Sequence, residues 1–475
     1  DYVMLNLNNL GYLVPNGDIG FWKGGGPNID LLRRAHWHAP DPKLDWILNK
    51  RLAVRPRPSL GGFASPVKES QTPPTQLLGA TSWPIPEVWY HTFARADSAP
   101  FDTTFDKISF RDGFDRDDAY LLLDGLAVGG HGHKDANCIL QWTEKGRIWL
   151  TDGDYIKSLP KFHNGVLVLA DGQSAPMPRF CELRTLEDWP DGGYSKTVLK
   201  SYNGMDWERH VFHAKGRWFA VLDRLTATRQ AEFSVRAIWQ TIGKVRQSES
   251  TLDIEQKGVH ARIAMTADTT CLLAEDAKLG ANWKTYPHAD RAVIQVFQGV
   301  RNITLSPGEF VELATLLHAG GDTPSAATIE RLGTGRFRVR DGKDAALLAI
   351  PKPGARKMEL PVLGTVETSA VMLFPQTVMA AGTASALPLP ANSAKVTALI
   401  DGLPVADAVA RAQTTQAAPP HATMTKLWTV TDKPDRFVIS GNRNTFGAVD
   451  LAMKATCSPT PLSANVFSGQ KGENR

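Results

Sequence analysis

Short apolar runs separated by turns are the feature that most constrains the fold of this chain. From about residue 105, runs rich in Val, Ile, Leu and aromatic residues recur along the sequence, with Gly or Asp turns between them. Examples are AYLLLDGLAV, ANCILQWTEKGRIWLTDGD and ERHVFHAKGRWFAVLDRLTAT. This pattern is typical of antiparallel strands, and no fixed-period repeat points to a propeller. The chain is therefore predicted to be mainly β, with a large antiparallel β-sandwich over residues 101–325.

The segments on either side of this region have different compositions. Residues 1–55 have apolar residues at helical spacing and a break at APDP, which predicts two short helices, the second capped by Asp41 or Asp45. Two such helices do not make a core, so we expect them to be the end of a larger helical domain. Residues 56–100 are rich in Pro, Gly and Ser and are predicted to be a linker or long loop. Residues 326–420 are predicted to hold a β hairpin and an Ala/Pro-rich linker, and residues 421–475 a further β segment with a disordered tail.

Composition excludes several classes of protein. The 475 residues are 42% hydrophobic and 21% charged, as is ordinary for a soluble globular chain. A formal charge of +4 is too small to argue for nucleic acid, and no apolar run approaches the roughly 20 residues of a membrane helix. The four cysteines form no CxxC pair, which argues against zinc-ribbon and redox motifs. The chain opens with DYVMLNL, without an initiator Met or a charged region before an apolar core, and we expect a processed or truncated product.

One stretch, residues 129–168, collects an unusual number of metal-binding and proton-transferring groups. Its sequence is GGHGHKDANCILQWTEKGRIWLTDGDYIKSLPKFHNGVLV. Residues two apart in a strand point to the same face, so His131 and His133 project together. A hairpin that turns at EKG brings Asp152 back beside the outgoing strand, and His163 stands at the head of the next apolar strand. Two imidazoles and a carboxylate are a zinc-binding set, so this spacing predicts a site made of His133, Asp152 and His163.

Simpler interpretations of the same residues remain open. Asp152 and Asp154 are also typical turn residues, and both share one strand face if the strand continues to Asp154. The second HxH pair, His36 and His38 in HWH, lies in a helical context where residues two apart diverge, and we interpret it as structural.

Three ordered motifs, HGHKDAN, GRIWLTDGDY and FHNGVLVLADG, resemble the signature of the heparinase II/III-like polysaccharide lyases. The resemblance covers roughly residues 10–320. It implies a β-sandwich preceded by an (α/α) toroid, of which residues 1–55 would be a short helical remnant. It also implies one structural Zn²⁺ per chain on His133, Asp152 and His163, with His131 facing the substrate cleft. TDGDY replaces the usual Asp-Pro-Gly turn, which leaves Asp154 as the alternative to Asp152. Most of the toroid is missing, so the resemblance does not imply activity of this chain alone.

The resemblance implies cleavage of a uronic-acid-containing polysaccharide by β-elimination. His131 is the candidate for neutralising the carboxylate or taking the C5 proton, and Tyr155 is either the acid or a core residue. Further candidates hold anionic sugar groups or are solvated surface charges, namely Lys134, Lys161 and Arg179. Asn137 is a candidate for substrate binding or, like Asp135, for holding a free imidazole nitrogen. Trp142 and Trp149 lie on the two arms of the hairpin, where core packing is the interpretation we adopt.

The implied partner is an acidic polysaccharide or oligosaccharide, with no nucleic acid and no membrane, in the periplasm or outside the cell. Three alternatives stay open: a uronyl C5-epimerase of the same fold, a non-catalytic carbohydrate-binding β module, and a zinc hydrolase with a water at an open metal position.

Overall fold

The computed structural model describes residues 2–15, 22–23, 32–33, 36, 39–54, 77–81, 103–127, 133–152, 159–342, 344–360 and 364–381. The predicted linker at 56–100 lies almost entirely outside these residues, and the predicted β segment at 421–475 lies wholly outside them. Two α-helices are described, α1 (Tyr2–Asn6) and α2 (Pro42–Val54). None of the described helices is long and apolar enough to cross a membrane.

Helix α2 begins as its sequence predicts. The backbone N–H of Lys43 donates to the Asp41 carboxylate at 2.8 Å, so Asp41 is the cap, and Pro42 occupies the first helical position. His36 is buried, and its Nε2 lies 2.9 Å from the carboxylate of Asp45 in α2. This contact agrees with a structural role for His36, whereas His38 lies outside the described residues.

The first sheet carries the segments on which the candidate site is built. Its five antiparallel strands are paired in chain order, β1 (Leu78–Thr81), β2 (Lys107–Arg111), β3 (Tyr120–Asp124), β4 (Ile139–Glu144) and β5 (Arg147–Leu150). The predicted hairpin is β4–β5, and its turn at Lys145 and Gly146 has φ values of 53° and 69°. Trp142 and Trp149 are both fully buried in the core, as predicted.

Two further sheets form the sandwich with the first. An eight-stranded antiparallel sheet has the order β12-β13-β14-β17-β10-β9-β8-β7, and a four-stranded antiparallel sheet has the order β15-β16-β11-β6. The strands are β6 (Val166–Ala170), β7 (Glu182–Trp189), β8 (Gly192–Tyr202), β9 (Met205–Ala214), β10 (Trp218–Ala227), β11 (Ala231–Ile242), β12 (Lys244–Ser248), β13 (Thr251–Gln256), β14 (Val259–Met265), β15 (Thr270–Asp276), β16 (Ile294–Leu305) and β17 (Phe310–Gly321). The main hydrophobic core joins residues from all three sheets. The predicted mainly β fold with a large antiparallel sandwich is therefore confirmed.

A further sheet covers the other face of the eight-stranded sheet. It comprises β18 (Thr328–Gly333), β19 (Arg336–Asp341), β20 (Asp344–Ala349), β23 (Ala370–Phe374) and β24 (Thr377–Ala381), and a hairpin of β21 (Lys357–Leu360) and β22 (Gly364–Glu367) packs nearby. The hairpin predicted in this region is β19–β20, and the structure makes it the centre of a five-stranded sheet. This C-terminal sheet shares a second core with the eight-stranded sheet, whose central strands β8, β9, β10, β14 and β17 are consequently buried on both faces.

The N-terminal segment is fixed to the first sheet by one buried guanidinium. Arg111 of β2 donates to the backbone carbonyls of Met4 and Leu7 and to the side chain of Asn9. The hydroxyl of Tyr120 donates to the carbonyl of Leu5 at 2.7 Å. Because these bonds satisfy polar groups that the packing removes from water, α1 is an integral part of the β structure.

Candidate metal centre

His133 and Asp135 lie in the loop that leads from β3 into β4. The loop turns tightly, since the N–H of Cys138 donates to the carbonyl of Asp135 at 2.9 Å. Asn137 takes the left-handed conformation with φ of 65°, which Asn tolerates better than most residues, and its N–H donates to the carbonyl of Asp124 at 2.7 Å. This turn holds the two candidate ligands against the end of the first sheet.

His163 reaches the same place from a different segment. It follows a short 3₁₀ turn, Pro160–Phe162, and precedes β6. Its Nδ1 lies 3.0 and 3.1 Å from the two carboxylate oxygens of Asp152, which comes directly after the β4–β5 hairpin. Its Nε2 is buried and has no hydrogen-bond partner. An unsatisfied ring nitrogen in a dry site is costly unless another group binds it.

The side chains of His133, Asp135 and His163 converge in a way that suits a metal ion. One ligand atom of each lies within 4.8 Å of the others, and all three side chains are buried. Tetrahedral zinc with ligand bonds of about 2.0–2.2 Å places two ligand atoms about 3.3–3.6 Å apart, so a shift of about 1.5 Å or less closes the set. The unsatisfied Nε2 of His163 and the two-imidazole, one-carboxylate donor set both fit a metal.

The carboxylates are arranged differently from the predicted triad of His133, Asp152 and His163. Asp152 contacts Nδ1 of His163, on the opposite side of the ring from the Nε2 that remains available. Asp135, which the sequence suggested as a partner of a free imidazole nitrogen, is the carboxylate grouped with the two histidines. Direct ligation of the metal by Asp152 stays a prediction. In the structure Asp152 contacts Nδ1 of His163, where a carboxylate orients an imidazole whose other nitrogen binds a metal.

A layer of hydrogen bonds behind these groups fixes the three segments to one another. The side-chain amide of Asn164 donates to the carbonyls of Ile139 and Thr151 at 2.9 and 2.8 Å, and its oxygen accepts the N–H of Gln240 at 2.6 Å. It therefore ties the start of β4, the end of β5 and β11 together.

Arg209 of β9 completes this layer. Its Nη1 donates to the carbonyls of Asn137 and Asn164 at 2.7 and 3.2 Å, and its Nε and Nη2 bind Asp223 at 2.8 and 3.0 Å. One fully buried guanidinium thus reaches both loops that carry candidate ligands. Neither Arg209 nor Asn164 was predicted from the sequence, in which only the position of Asn164 beside His163 pointed to one of them.

Burial and neighbouring charges shift the pKa values of both Asp152 and His163. Burial raises the pKa of the Asp152 carboxyl, and the adjacent His163 opposes this rise. Burial disfavours the charged His163 ring, but the carboxylates of Asp152, Asp135 and Asp124 together outweigh it and raise the pKa of His163 to about 9. Burial, together with the charge of Asp152, raises the pKa of the Cys138 thiol well above its usual value, so Cys138 is a neutral packing residue.

The predicted substrate-binding residues occupy different environments. Burial and, to a lesser extent, the positive charge of Arg179 lower the pKa of Lys134, and the charge of Asp135 opposes this shift. The ammonium of Lys161 lies 4.9 Å from the centre of the Phe162 ring. Asn137 is fully buried, and its amide oxygen accepts a hydrogen bond from the Thr197 hydroxyl at 2.6 Å. These contacts give Asn137 a structural role. The predicted catalytic residues His131 and Tyr155, and also Asp154, lie outside the described residues.

Comparison with solved structures shows the fold. A heparinase III structure superposes with a TM-score of 0.50 at 10% identity, over 73% of this chain and 52% of that chain. A second heparinase III structure gives 0.50 at 10% identity, over 72% and 50%. A heparan sulfate lyase from Pedobacter heparinus gives 0.49 at 12% identity, over 73% and 51%. This chain spans about half the length of these proteins.

Comparison of sequences does not assign this chain to a family. No family model matches the chain. No curated protein matches it either. The chain therefore shares the β architecture of heparinase III, and it brings two histidines and a carboxylate from separate segments of that architecture into one buried group.

Proposed function

We propose that this chain is part of a polysaccharide lyase that cleaves an acidic, uronic-acid-containing polysaccharide by β-elimination in the periplasm or outside the cell. The observation that carries the proposal is the convergence of the HGHKDAN and FHNGV motifs, with Asp152, on one buried group. This convergence occurs in a fold shared with heparinase III.

The metal in this proposal is a zinc ion with a structural role. His133, Asp135 and His163 would hold it, with Asp152 fixing the orientation of the His163 ring. The ion would supply a rigid cross-link between the β3–β4 loop and the head of β6. All three donors are buried, which favours a closed structural site over the open, water-bearing site of a zinc hydrolase.

The remaining chemistry falls to side chains near this centre. A lyase must offset the uronate charge, remove the C5 proton and protonate the leaving oxygen. Lys134 and Arg179, whose charges act on each other, would hold the carboxylate or another anionic sugar group. We assign His131 to carboxylate neutralisation or proton removal and Tyr155 to protonation of the leaving group. These two roles rest on sequence position.

The test is turnover by the full chain on a panel of acidic and neutral polysaccharides. Ultraviolet absorbance of an unsaturated uronate product is expected with at least one acidic polysaccharide and with no neutral one. Lys134→Ala and Arg179→Ala should raise KM several-fold, whereas Arg246→Ala, which removes an exposed cation on β12, should leave KM unchanged.

Other outcomes would redirect or reject the proposal. Solvent deuterium appearing at C5 of the sugar without chain cleavage would identify an epimerase instead. Saturable binding with neither cleavage nor exchange would leave a non-catalytic carbohydrate-binding module.

A further inference from the structure

Arg236 on β11 differs from the other fully buried arginines of the described chain. Arg209 and Arg224 each bind a carboxylate, and Arg111 binds backbone carbonyls and faces the Tyr120 ring. Arg236 is 1% exposed and forms no ion pair with any described carboxylate. Its hydrogen bonds are long, 3.4 Å from Nε to the Ser234 hydroxyl and 3.3 Å from Nη1 to the Gln298 amide oxygen, and its Nη2 has no partner.

The neighbours of Arg236 form a polar cluster without negative charge. In the register of β11 and β16, Ser234 is opposite Asn302, Arg236 is opposite Val300, and Ile238 is opposite Gln298. The polar cluster therefore consists of Ser234, Arg236, Gln298 and Asn302 on one face of the four-stranded sheet. This is the face opposite the core, because Val235 and Ala237 point inward. All four side chains are at least nine-tenths buried.

Two polar atoms of the cluster have no hydrogen-bond partner. The amide oxygen of Asn302 is buried without a partner, as is Nη2 of Arg236. The amide group of Asn302 can rotate to present its NH₂ in place of its oxygen. Leu167 and Leu169 of β6 flank Arg236 and Ser234, so water is scarce around the guanidinium.

A buried cation without a counter-charge is unfavourable, and the usual solution is a bound anion or a partner carboxylate. We propose that Ser234, Arg236, Gln298 and Asn302 form a binding site for a single oxyanion of the carboxylate or sulfate class. Nη2 of Arg236, the Ser234 hydroxyl and the Asn302 amide are the donors to this anion. Burial alone lowers the pKa of Arg236 to about 9, and no carboxylate counteracts it, which agrees with a missing negative partner.

The site is separate from the candidate metal centre and does not depend on the proposed function. Its anion has two sources, a free inorganic ion or the acid group of a sugar. Sulfate and glucuronate share the oxyanion chemistry that the polar cluster recognises, so comparing the two identifies the source.

The experiment is equilibrium dialysis of labelled sulfate, together with melting temperature against sulfate and glucuronate concentration, on the full chain. Wild type is expected to bind one sulfate per chain and to show a saturable rise in melting temperature. Arg236→Met should lose both effects and still fold, because it replaces an uncompensated buried charge with an apolar side chain of similar length. Arg217→Met, which removes an arginine already paired with Asp341, should keep the anion response.

A second variant tests the same idea without removing the arginine. Asn302→Asp places a carboxylate diagonal to Arg236, so it should raise the melting temperature in anion-free buffer and abolish sulfate binding. Sulfate also stabilises proteins non-specifically, but that effect is equal in all variants. An equal anion response in wild type, Arg236→Met and Asn302→Asp would overturn the proposal, and so would the absence of saturable binding to wild type. A stronger response to glucuronate than to sulfate would identify a sugar acid as the ligand, and the reverse would identify an inorganic ion.

Discussion

Asp135 and Asp152 show how neighbouring carboxylates acquire different roles from their contacts. Both oxygens of Asp152 lie near Nδ1 of His163, so Asp152 selects the tautomer and fixes the ring orientation. The remaining nitrogen, Nε2, has no hydrogen-bond partner and is therefore available to the group that contains Asp135 and His133. Asp152, which contacts Nδ1, and Asp135, which is a candidate ligand, should contribute different amounts to the affinity for the metal. Substituting each aspartate separately can therefore distinguish their roles.

Substituting these two aspartates should weaken metal binding unequally. Asp135→Asn removes a charged ligand and should abolish tight zinc binding. Asp152→Asn keeps all three ligands but weakens the orientation of His163, and should lower the affinity about 10–100-fold. Competition with a chromophoric chelator measures both affinities. The control is Asp253→Asn, which changes a carboxylate on β13 that is paired with Arg262 of β14. The reverse order, with binding lost in Asp152→Asn and retained in Asp135→Asn, would favour the triad predicted from the sequence.

Sequence spacing predicted part of this site and left the rest undetermined for a physical reason. The period of two along a strand, the EKG turn and the apolar run after His163 were enough to bring His133, Asp152 and His163 into one neighbourhood. They do not specify which side of an imidazole ring a carboxylate approaches, because that depends on the turn at Asn137. That turn is held by Arg209, which lies 72 residues further along the chain.

Strand β9 carries two polar side chains to opposite faces of the eight-stranded sheet. Arg209 points inward to Asp223 and to the loops that carry candidate ligands. His210 points outward, on the face that packs against the C-terminal sheet, where its Nδ1 lies 2.7 Å from the Tyr194 hydroxyl. Because side chains alternate along a strand, Arg209 and His210 are expected on opposite faces of the sheet. The local sequence does not predict that Arg209 is fully buried, because its partners come from other strands.

The buried His210 should make stability fall as the pH is lowered. Burial lowers the pKa of His210 to about 4, from 6.5, and Glu208 on the same strand opposes this only in part, while Lys196 and Arg224 add to it. Between pH 6.5 and 4 the unfolded chain takes up a proton that the folded His210 does not. The stability from the neutral ring is therefore complete above pH 6.5 and falls by about 3 kcal/mol by pH 4.

Urea unfolding at pH 7, 6 and 5 measures this slope. His210→Gln should reduce the slope, although His288 and His318 also have lowered pKa values and contribute to what remains. His260→Gln, on β14 and away from Tyr194, is the matched control and should retain the wild-type slope. Equal slopes in wild type and His210→Gln would show that folding does not lower the pKa of His210.

The described part of the molecule is organised around an eight-stranded sheet whose central strands are buried on both faces. One face shares the main core with the first and four-stranded sheets, and the other shares a second core with the C-terminal sheet. The sequence predicted the sandwich because its apolar runs are rich in Val, Ile, Leu and aromatic residues and are separated by turns. Between residues 326 and 420 it predicted only the β19–β20 hairpin, because strands such as TVMAA in β24 are short and have low β propensity, so tertiary packing rather than local preference specifies them.

The second core should control how the C-terminal sheet is attached. Phe337 of β19 is fully buried in this core. Phe337→Ala is expected to cost about 3–5 kcal/mol, because it removes a large apolar side chain and leaves a cavity. Phe374→Ala, at the rim beside Trp218 and only half-buried, should cost clearly less. Urea unfolding followed by circular dichroism gives both values.

Hydrogen exchange then tells whether the C-terminal sheet is a separate cooperative unit. The main core includes no residue from β18 to β24, so Phe337→Ala should speed exchange at the amides of β19, β20 and β23 and leave β10 and β11 protected. That result would mean that the candidate metal centre, which is built on the first and four-stranded sheets, keeps its geometry when the C-terminal sheet loosens. Metal affinity should accordingly be unchanged in Phe337→Ala. Faster exchange in every sheet, with a matching loss of metal affinity, would instead show that the two cores unfold together and that the C-terminal sheet supports the site.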